Sequence, residues 1–441
     1  MDKKNCPRVL VISHNVFSET SNMGATLYSL FHDWPRESIA QLYLHTEVPT
    51  TKICHTYYRI TDFDMIDAIL HRHKPGKILT KADIRTDLNT ERVDKGKQAD
   101  IYQWGRQRRP YMVIGRNLIW ATRKWDTPEL HQWIDEFQPE IVFFASGDYV
   151  FSYKIALSIA SRWEIPLAVS VMDDYYIYRR RSISPLYWLN RAQFRHTFRK
   201  VATYQSLFVY ICDSMQKDYD SLFHTHGVVI MTPATLDLPV SNSGQTSLVV
   251  SYIGNLGLDR WKPLTEIGRL VHQMDPSIYV HVYSTEKRPS ILHHLTEQNG
   301  IRFHGSINKD QVRETMRQSD ILIHVESLEP LNRKKVRYSV STKIADSLAS
   351  GTCLLAYGPE EVASIRHLQE TGAACVATDP TQLQTAIENI FYSPQLRQQF
   401  AESGKRLAEQ RHNAAKNRQM LRDALTGVVQ NWEKPHEDTT N

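Results

Sequence analysis

The chain returns repeatedly to one pattern: a short apolar run, often β-branched, breaks off into polar residues and is followed by a stretch with helical spacing. Such runs lie at residues 8–13 (RVLVIS), 40–44, 141–145, 167–171, 208–212 and 228–231. Segments 25–32, 128–137, 151–162 and 215–223 have helical character, and most of them fall between successive runs. Strands joined through helices need crossover connections, and these build a parallel sheet with helices on both faces. All-helical and all-strand folds are therefore set aside. A polar stretch with two prolines, residues 232–247 (TPATLDLPVSNSGQTS), interrupts the series. The pattern then resumes at 248–253, 278–283, 301–303, 321–325, 353–356 and 373–376, and closes with charged amphipathic helices at 381–391, 396–409 and 414–432. A chain of 441 residues exceeds one ordinary core, so the expectation is α/β, with two domains of about two hundred residues each. The boundaries fall at 1–235, 248–412 and a final helical segment 413–441, and residues 71–126 break the rhythm as an insertion.

Composition narrows the class. At 41% hydrophobic and 23% charged residues the chain sits near the globular average, which excludes disordered and fibrous classes. No apolar run reaches the roughly 18 to 20 residues of a membrane helix. The start, MDKKNCPRVLVISHN, lacks a cleavable signal pattern, so a cytoplasmic protein is expected. Cys6, Cys54, Cys212, Cys353 and Cys375 are scattered, so neither disulfide nor zinc is expected. The net charge of +5 is concentrated. Residues 101–125 hold Arg106, Arg108, Arg109, Arg116, Arg123 and Lys124 among Tyr102, Trp104, Tyr111, Trp120 and Trp125, with no acid. Residues 179–200 repeat this with Arg179, Arg180, Arg181, Arg191, Arg195, Arg199 and Lys200 beside Tyr187, Trp188, Phe194 and Phe198. Two readings stand equally: a surface peripheral to an anionic membrane, and a solvated basic helix packed on its own domain. Nucleic acid is not expected as a partner, because no module signature accompanies the charge.

Ligands of parallel α/β sheets gather beyond the carboxyl ends of the strands, so the residues there carry the chemistry. In residues 338–358 (YSVSTKIADSLASGTCLLAYG) a polar loop leads to a helix that starts at Ser341 or Thr342 and stops at Gly351. A helix start with free N–H groups and Lys343 in its first turn attracts phosphate. Asp346, nearly one turn on, can accept hydrogen bonds from sugar hydroxyls. Phosphate and ribose together describe a nucleotide. After 248–253 comes Gly254, Asn255, Leu256, Gly257, then Arg260 and Lys262. Glycines there let a diphosphate approach the backbone, and the cations neutralise it. The strand at 167–171 delivers Asp173 and Asp174, an acidic pair suited to binding or catalysis, or to capping a turn. Asp148 is a weaker candidate. His304 and Glu326 also stand at strand ends, and Asn22 and Gly24 follow the first strand.

The run Ser341, Thr342, Lys343, Ile344, Ala345, Asp346, Ser347, Leu348, Ala349, Ser350, Gly351 resembles the nucleotide-sugar helix of GT-B glycosyltransferases, especially family 4. Asp346 occupies the place of that family's ribose-binding Glu, and Tyr338 that of a second Glu eight positions earlier. In the glycine turn, Asn255 replaces an Arg and Arg260 takes the place of a Lys. Met172 stands where the family has a His before Asp173. The resemblance implies two Rossmann-like domains facing each other across a cleft, with the last helix crossing back to the first. It implies retaining, metal-independent transfer of a hexosyl or N-acetylhexosaminyl group from a nucleotide diphosphate sugar, most readily a UDP-sugar, with no cofactor. The acceptor is a glycan or lipid-linked saccharide of bacterial surface polysaccharide assembly, met through a loop at Asn22 and Gly24, with Asp173 and Asp174 orienting its hydroxyl or steadying the charged sugar. The donor site is Gly254, Asn255, Gly257, Arg260, Ser341, Thr342, Lys343 and Asp346, with His304 and Glu326 near the base and the sugar. The competing readings are a nucleotide-sugar epimerase and an inactive sugar-nucleotide-binding scaffold.

Overall fold

The computed structural model describes residues 6–19, 22–79, 83–84, 109–204, 206–234 and 247–433. The chain forms two compact units. Unit 1 is Met1–Tyr210, Met215–Ile230 and Arg418–Asn441, and unit 2 is Ile211–Ser214 and Met231–Asn417. Most of the stretch 232–247 read as an interdomain linker lies outside the described residues.

The strands of unit 1 are β1 (Val9–Ser13), β2 (Ile39–Tyr43), β3 (Thr56–Arg59), β4 (Lys77–Leu79), β5 (Ile141–Ala145), β6 (Leu167–Val171), β7 (Ser206–Tyr210) and β8 (Val228–Val229). They form one sheet in the order β4-β3-β2-β1-β5-β6-β7-β8. Every pairing is parallel except β3 with β4. Its helices are α1 (Asn22–Phe31), α2 (Asp62–Leu70), α3 (Pro110–Ala121), α4 (Pro128–Phe137), α5 (Val150–Arg162), α6 (Pro185–Thr203) and α7 (Asp213–Phe223). Central strands β1, β2, β5 and β6 are buried along their whole length, as sheets covered on both faces require. Caps set the helix starts: Thr61 and Asp64 close a reciprocal capping box on α2, and Thr127 accepts from the Leu130 N–H ahead of Pro128.

Where it is described, the segment 71–126, expected as an insertion, is built into unit 1. β4 extends the sheet, and α3 is built into the unit through Arg116 and the buried Trp120, both of which hydrogen bond Asp62. Strand β3 (TYYR) is two adjacent tyrosines between polar residues rather than an apolar aliphatic run, and only the tyrosines are buried.

Unit 2 holds β9 (Val250–Ile253), β10 (Val280–Tyr283), β11 (Ile301–Gly305), β12 (Ile321–Val325), β13 (Cys353–Tyr357) and β14 (Cys375–Ala377). They pair in parallel throughout, in the order β11-β10-β9-β12-β13-β14. Its helices are α8 (Trp261–Met274), α9 (Pro289–Leu292), α10 (Lys309–Gln318), α11 (Pro330–Lys335), α12 (Thr342–Ala349), α13 (Ala363–Thr371), α14 (Pro380–Tyr392) and α15 (Pro394–Arg411). Helix α16 (Ala414–Gln430) begins here, where Asn417 donates to the Met231 carbonyl. From Arg418 onward it belongs to unit 1, where Leu421 and Leu425 are fully buried and Arg418 pairs with Asp33. In each sheet the order reverses direction at one point, between β1 and β5 in unit 1 and between β9 and β12 in unit 2. A crevice opens at such a point because the connections on either side lead to opposite faces.

Candidate functional site

At the reversal point of unit 2 lies a cavity of about 320 Å³. It is walled by the end of β9 with Gly254 and Asn255, the end of β12 from His324 to Glu326, and the start of α12 from Ser341 to Ile344. Ser341 caps α12, its side chain accepting from the Lys343 N–H at 3.4 Å. Ile344, Ala345 and Leu348 are buried and anchor the helix in the unit, with Ser341 to Ile344 at the cavity.

The cavity wall carries two cations, one carboxylate and one imidazole. Arg260 grips Glu326 bidentately, Nε to Oε2 at 3.0 Å and Nη2 to Oε1 at 3.1 Å. Glu326 is 1% exposed and Arg260 19%. Burial pushes the Glu326 carboxyl above its usual range, and Arg260 opposes the push. His324, beside it, is brought down to about 3 by burial and then by Arg260, so it is neutral; its Nε2 lies 3.2 Å from the Ser364 hydroxyl. Lys343 is lowered from the ordinary lysine range by desolvation and then by repulsion from Arg260. Two cations that repel each other beside free helix N–H groups gain most from a multiply charged anion placed between them.

The turn before Arg260 is held in an uncommon conformation. Leu258 and Asp259 both take the left-handed region, at φ 57° and 58°. Two consecutive residues there are rare outside glycine and need outside support. Asn332 of α11 supplies it, donating to the Leu258 carbonyl at 3.0 Å and to Asp259 Oδ2 at 2.9 Å. Gly254 is required because a Cβ would stand 2.4 Å from the Tyr252 hydroxyl. Asn255 lines the cavity, with its Oδ1 held by the Gly257 N–H. Lys262 pairs with Glu329.

Of the residues read from sequence as a donor site, the structure gathers Gly254, Asn255, Arg260, Glu326, Ser341, Thr342 and Lys343 around this one cavity. It does not bring Gly257, His304 or Asp346 into the wall; Ser347 lines it instead of Asp346. His304 belongs to a row of rings on β10 and β11, stacked with Tyr283 at 4.8 Å and bonded to His281 at 2.8 Å. Ser251, Met316 and Ser347 were missed. As small or apolar residues within regular elements, they carry no sequence signal of binding.

In unit 1 the strand ends at the reversal point assemble a second set of residues. His14 follows β1, and its ring lies 5.0 Å from that of His45 after β2 and 4.9 Å from that of Tyr149 after β5. The Arg116 guanidinium lies 4.2 Å from the Tyr149 ring. After β6, Asp173 is exposed, accepts from the Tyr175 hydroxyl at 3.2 Å, and is lifted above the usual aspartate range by desolvation, then by Asp148 and Asp174. Asp174 differs. Its oxygens accept the Ile177 and Tyr178 N–H groups at 2.8 Å and the Tyr219 hydroxyl at 2.7 Å, which makes it a loop-ordering residue and not a free partner of Asp173. His14 and His45 were missed in sequence, although each stands just after a strand at its carboxyl end.

The acceptor loop expected at Asn22 and Gly24 is the first turn of α1. Gly24 is buried, and a Cβ there would stand 2.1 Å from the Val16 carbonyl oxygen. The basic segments are mixed in role. Arg106 and Arg108, with Tyr102 and Trp104, lie outside the described residues. Arg191 donates to the carbonyls of Tyr176, Ile177 and Tyr178, and Arg195 and Arg199 meet Tyr176. Arg179, Arg180 and Arg181 are exposed.

The sequence model of a family described as glycosyl transferase-like matches residues 267–423. No curated protein matches the chain in sequence. Among solved structures, Anabaena HepE in complex with UDP is 12% identical at a TM-score of 0.58, over 95% of this chain and 100% of that one. Sucrose-phosphate synthase from Thermosynechococcus elongatus is 9% identical at 0.56, over 96% and 99%. WaaG, a glycosyltransferase involved in lipopolysaccharide biosynthesis, is 11% identical at 0.52, over 96% and 100%. At these identities the likeness is one of fold, and the chain has the α/β GT-B fold.

Proposed function

We propose that this chain is a glycosyltransferase that moves a sugar from a nucleotide diphosphate sugar, a UDP-sugar in the first place, to an acceptor hydroxyl. The observation that carries the reading is the convergence of Arg260, Lys343 and the start of α12 on one cavity at the reversal point of unit 2. HepE, of the same fold, has been crystallised with UDP and with UDP-glucose, which supports a uridine donor. Breaking the bond between sugar and diphosphate builds positive charge on the sugar and negative charge on the leaving phosphate. Fixed cations and N–H groups aimed at that phosphate stabilise the departure. Protein cations can supply this stabilisation without a metal, and the reading includes retention of configuration at the sugar.

Asp173, its proton affinity raised by desolvation and by its acidic neighbours and its side chain open to solvent, is suited to taking the proton of an acceptor hydroxyl. We take the acceptor to be a lipid-linked saccharide on the cytoplasmic face of a membrane, in surface polysaccharide assembly, as WaaG acts in lipopolysaccharide biosynthesis. Calorimetry of the wild type and Lys343→Ala against UDP, GDP, ADP and their sugar conjugates tests the donor site. One nucleotide should bind the wild type and be lost in the variant. Absence of binding, or equal binding by both proteins, would overturn the reading.

A further inference from the structure

Helices α3 and α6 of unit 1 lie side by side, joined by a 2.7 Å hydrogen bond from Asn117 Nδ2 to Asn190 Oδ1. Next to that bond in sequence stand Leu118 and Leu189, 65% and 61% exposed. Ile183, Leu186 and Trp188 carry the exposed apolar surface on toward and just ahead of the start of α6, and Tyr111 adds to it on α3. Together these are nearly half of the large exposed apolar side chains among the described residues. Exposed apolar side chains on neighbouring segments of a monomer commonly mark contact with a partner.

The cations decide which partner. The Arg residues in the body of α6 are engaged with the unit's own carbonyls and with Tyr176. Arg116 is engaged with Asp62. The exposed triplet Arg179, Arg180, Arg181 stands one residue ahead of Ile183, and residues 175–203 contain no acid. Leucine, isoleucine and tryptophan beside a one-sign guanidinium cluster match the hydrocarbon boundary and phosphate layer of an acidic bilayer.

We infer that the α3–α6 face docks on an anionic lipid bilayer, with Leu186, Trp188 and Leu189 entering the headgroup boundary and Arg179, Arg180 and Arg181 meeting lipid phosphates. The inference extends the lipid-linked acceptor of the proposed function by assigning the surface that reaches it, and its binding test is independent of catalysis.

The test is co-flotation of the full chain with vesicles of phosphatidylcholine alone and of phosphatidylcholine with phosphatidylglycerol. Two variants accompany the wild type: Trp188→Ser with Leu189→Ser, and Arg179→Gln with Arg180→Gln and Arg181→Gln. The wild type should float with acidic vesicles and not with neutral ones. Each variant should lose roughly tenfold or more of that binding while keeping the wild-type affinity for UDP. A far-ultraviolet circular dichroism spectrum and a melting profile equal to those of the wild type show that unit 1 of the variants is folded. Absence of flotation with acidic vesicles, or flotation of both variants equal to the wild type, would overturn the inference. So would a dimer in light scattering that the Trp188/Leu189 variant dissolves, since the face would then belong to a second copy. If UDP fails to bind the wild type while flotation holds, the donor reading falls and the docking face stands.

Discussion

At the scale of single residues, the two aspartates after β6 separate by what holds them. Asp174 satisfies two backbone N–H groups and the Tyr219 hydroxyl, so Asp174→Ala leaves those donors without acceptors. A loss of about 2 to 4 kcal/mol in unfolding free energy is expected, read by denaturant titration. Asp173 organises no backbone, and Asp173→Asn should leave the melting temperature within a degree or two while lowering kcat by roughly a hundredfold or more, the usual span for a general base. The sign of its pH dependence follows from its raised proton affinity. The working form is the carboxylate, so the rate should fall as pH drops through that raised value, at a higher pH than an ordinary aspartate would give. In unit 2, Glu326→Ala leaves Arg260 partly buried without its bidentate partner. Breaking such a pair typically costs about 3 to 5 kcal/mol, and Glu326→Gln, which keeps one acceptor, should cost clearly less.

At the scale of elements, α12 is short, eight residues from Thr342 to Ala349, and depends on its cap and on tertiary packing. Ser341→Ala should cost about 1 kcal/mol by thermal melting. It should also weaken UDP binding by several-fold, because the N–H groups that the cap orders face the cavity. This helix was legible in the sequence, since capping, Lys343 and the apolar side obey local rules. So were the strands that run as unbroken apolar stretches. β3 was not, because two tyrosines between Thr56 and Arg59 make no such run, and β4 gains its meaning only from pairing with β3. Arg260 was legible as a cation near the diphosphate, but its grip on Glu326 was not, since 66 residues separate them. Asp346 shows the limit of spacing arguments. One helical position decides whether a side chain faces a cavity, and here Ser347 lines the wall. The basic segments were legible only as charge: their lack of local acids gave no sign that Asp62 pairs with Arg116 or that backbone carbonyls accept from Arg191.

At the scale of the whole molecule, buried imidazoles set the response of unit 2 to acid. His412 is 1% exposed, and its Nδ1 lies 2.7 Å from the Thr232 carbonyl oxygen. A carbonyl only accepts, so Nδ1 carries the hydrogen and Nε2 is left as an acceptor for His367, whose Nε2 lies 3.4 Å away. Burial comes first in lowering both, and His367 is brought to about 4, with His412 and Arg411 adding to the depression and Asp213 opposing it. His324, in the cavity wall, is lowered to about 3. A histidine depressed in the folded state keeps its full contribution above its unfolded value near 6.5 and loses it as pH falls toward the folded value, because the unfolded chain takes up the proton first. For His367 alone the loss by pH 4 is roughly 3 kcal/mol, and the coupled pair responds as one system. The melting transition of unit 2 should therefore fall steeply between about pH 6.5 and 4. His367→Phe should flatten that slope whatever it does to stability at neutral pH, since it removes a titrating group along with a bond. Saturating UDP at pH 7 should raise the same transition, by about 2.7 kcal/mol at a hundred times the dissociation constant. If His367→Phe left the acid slope as steep as in the wild type, the buried pair would not be its source, and His324 with the carboxylates of unit 2 would have to account for it.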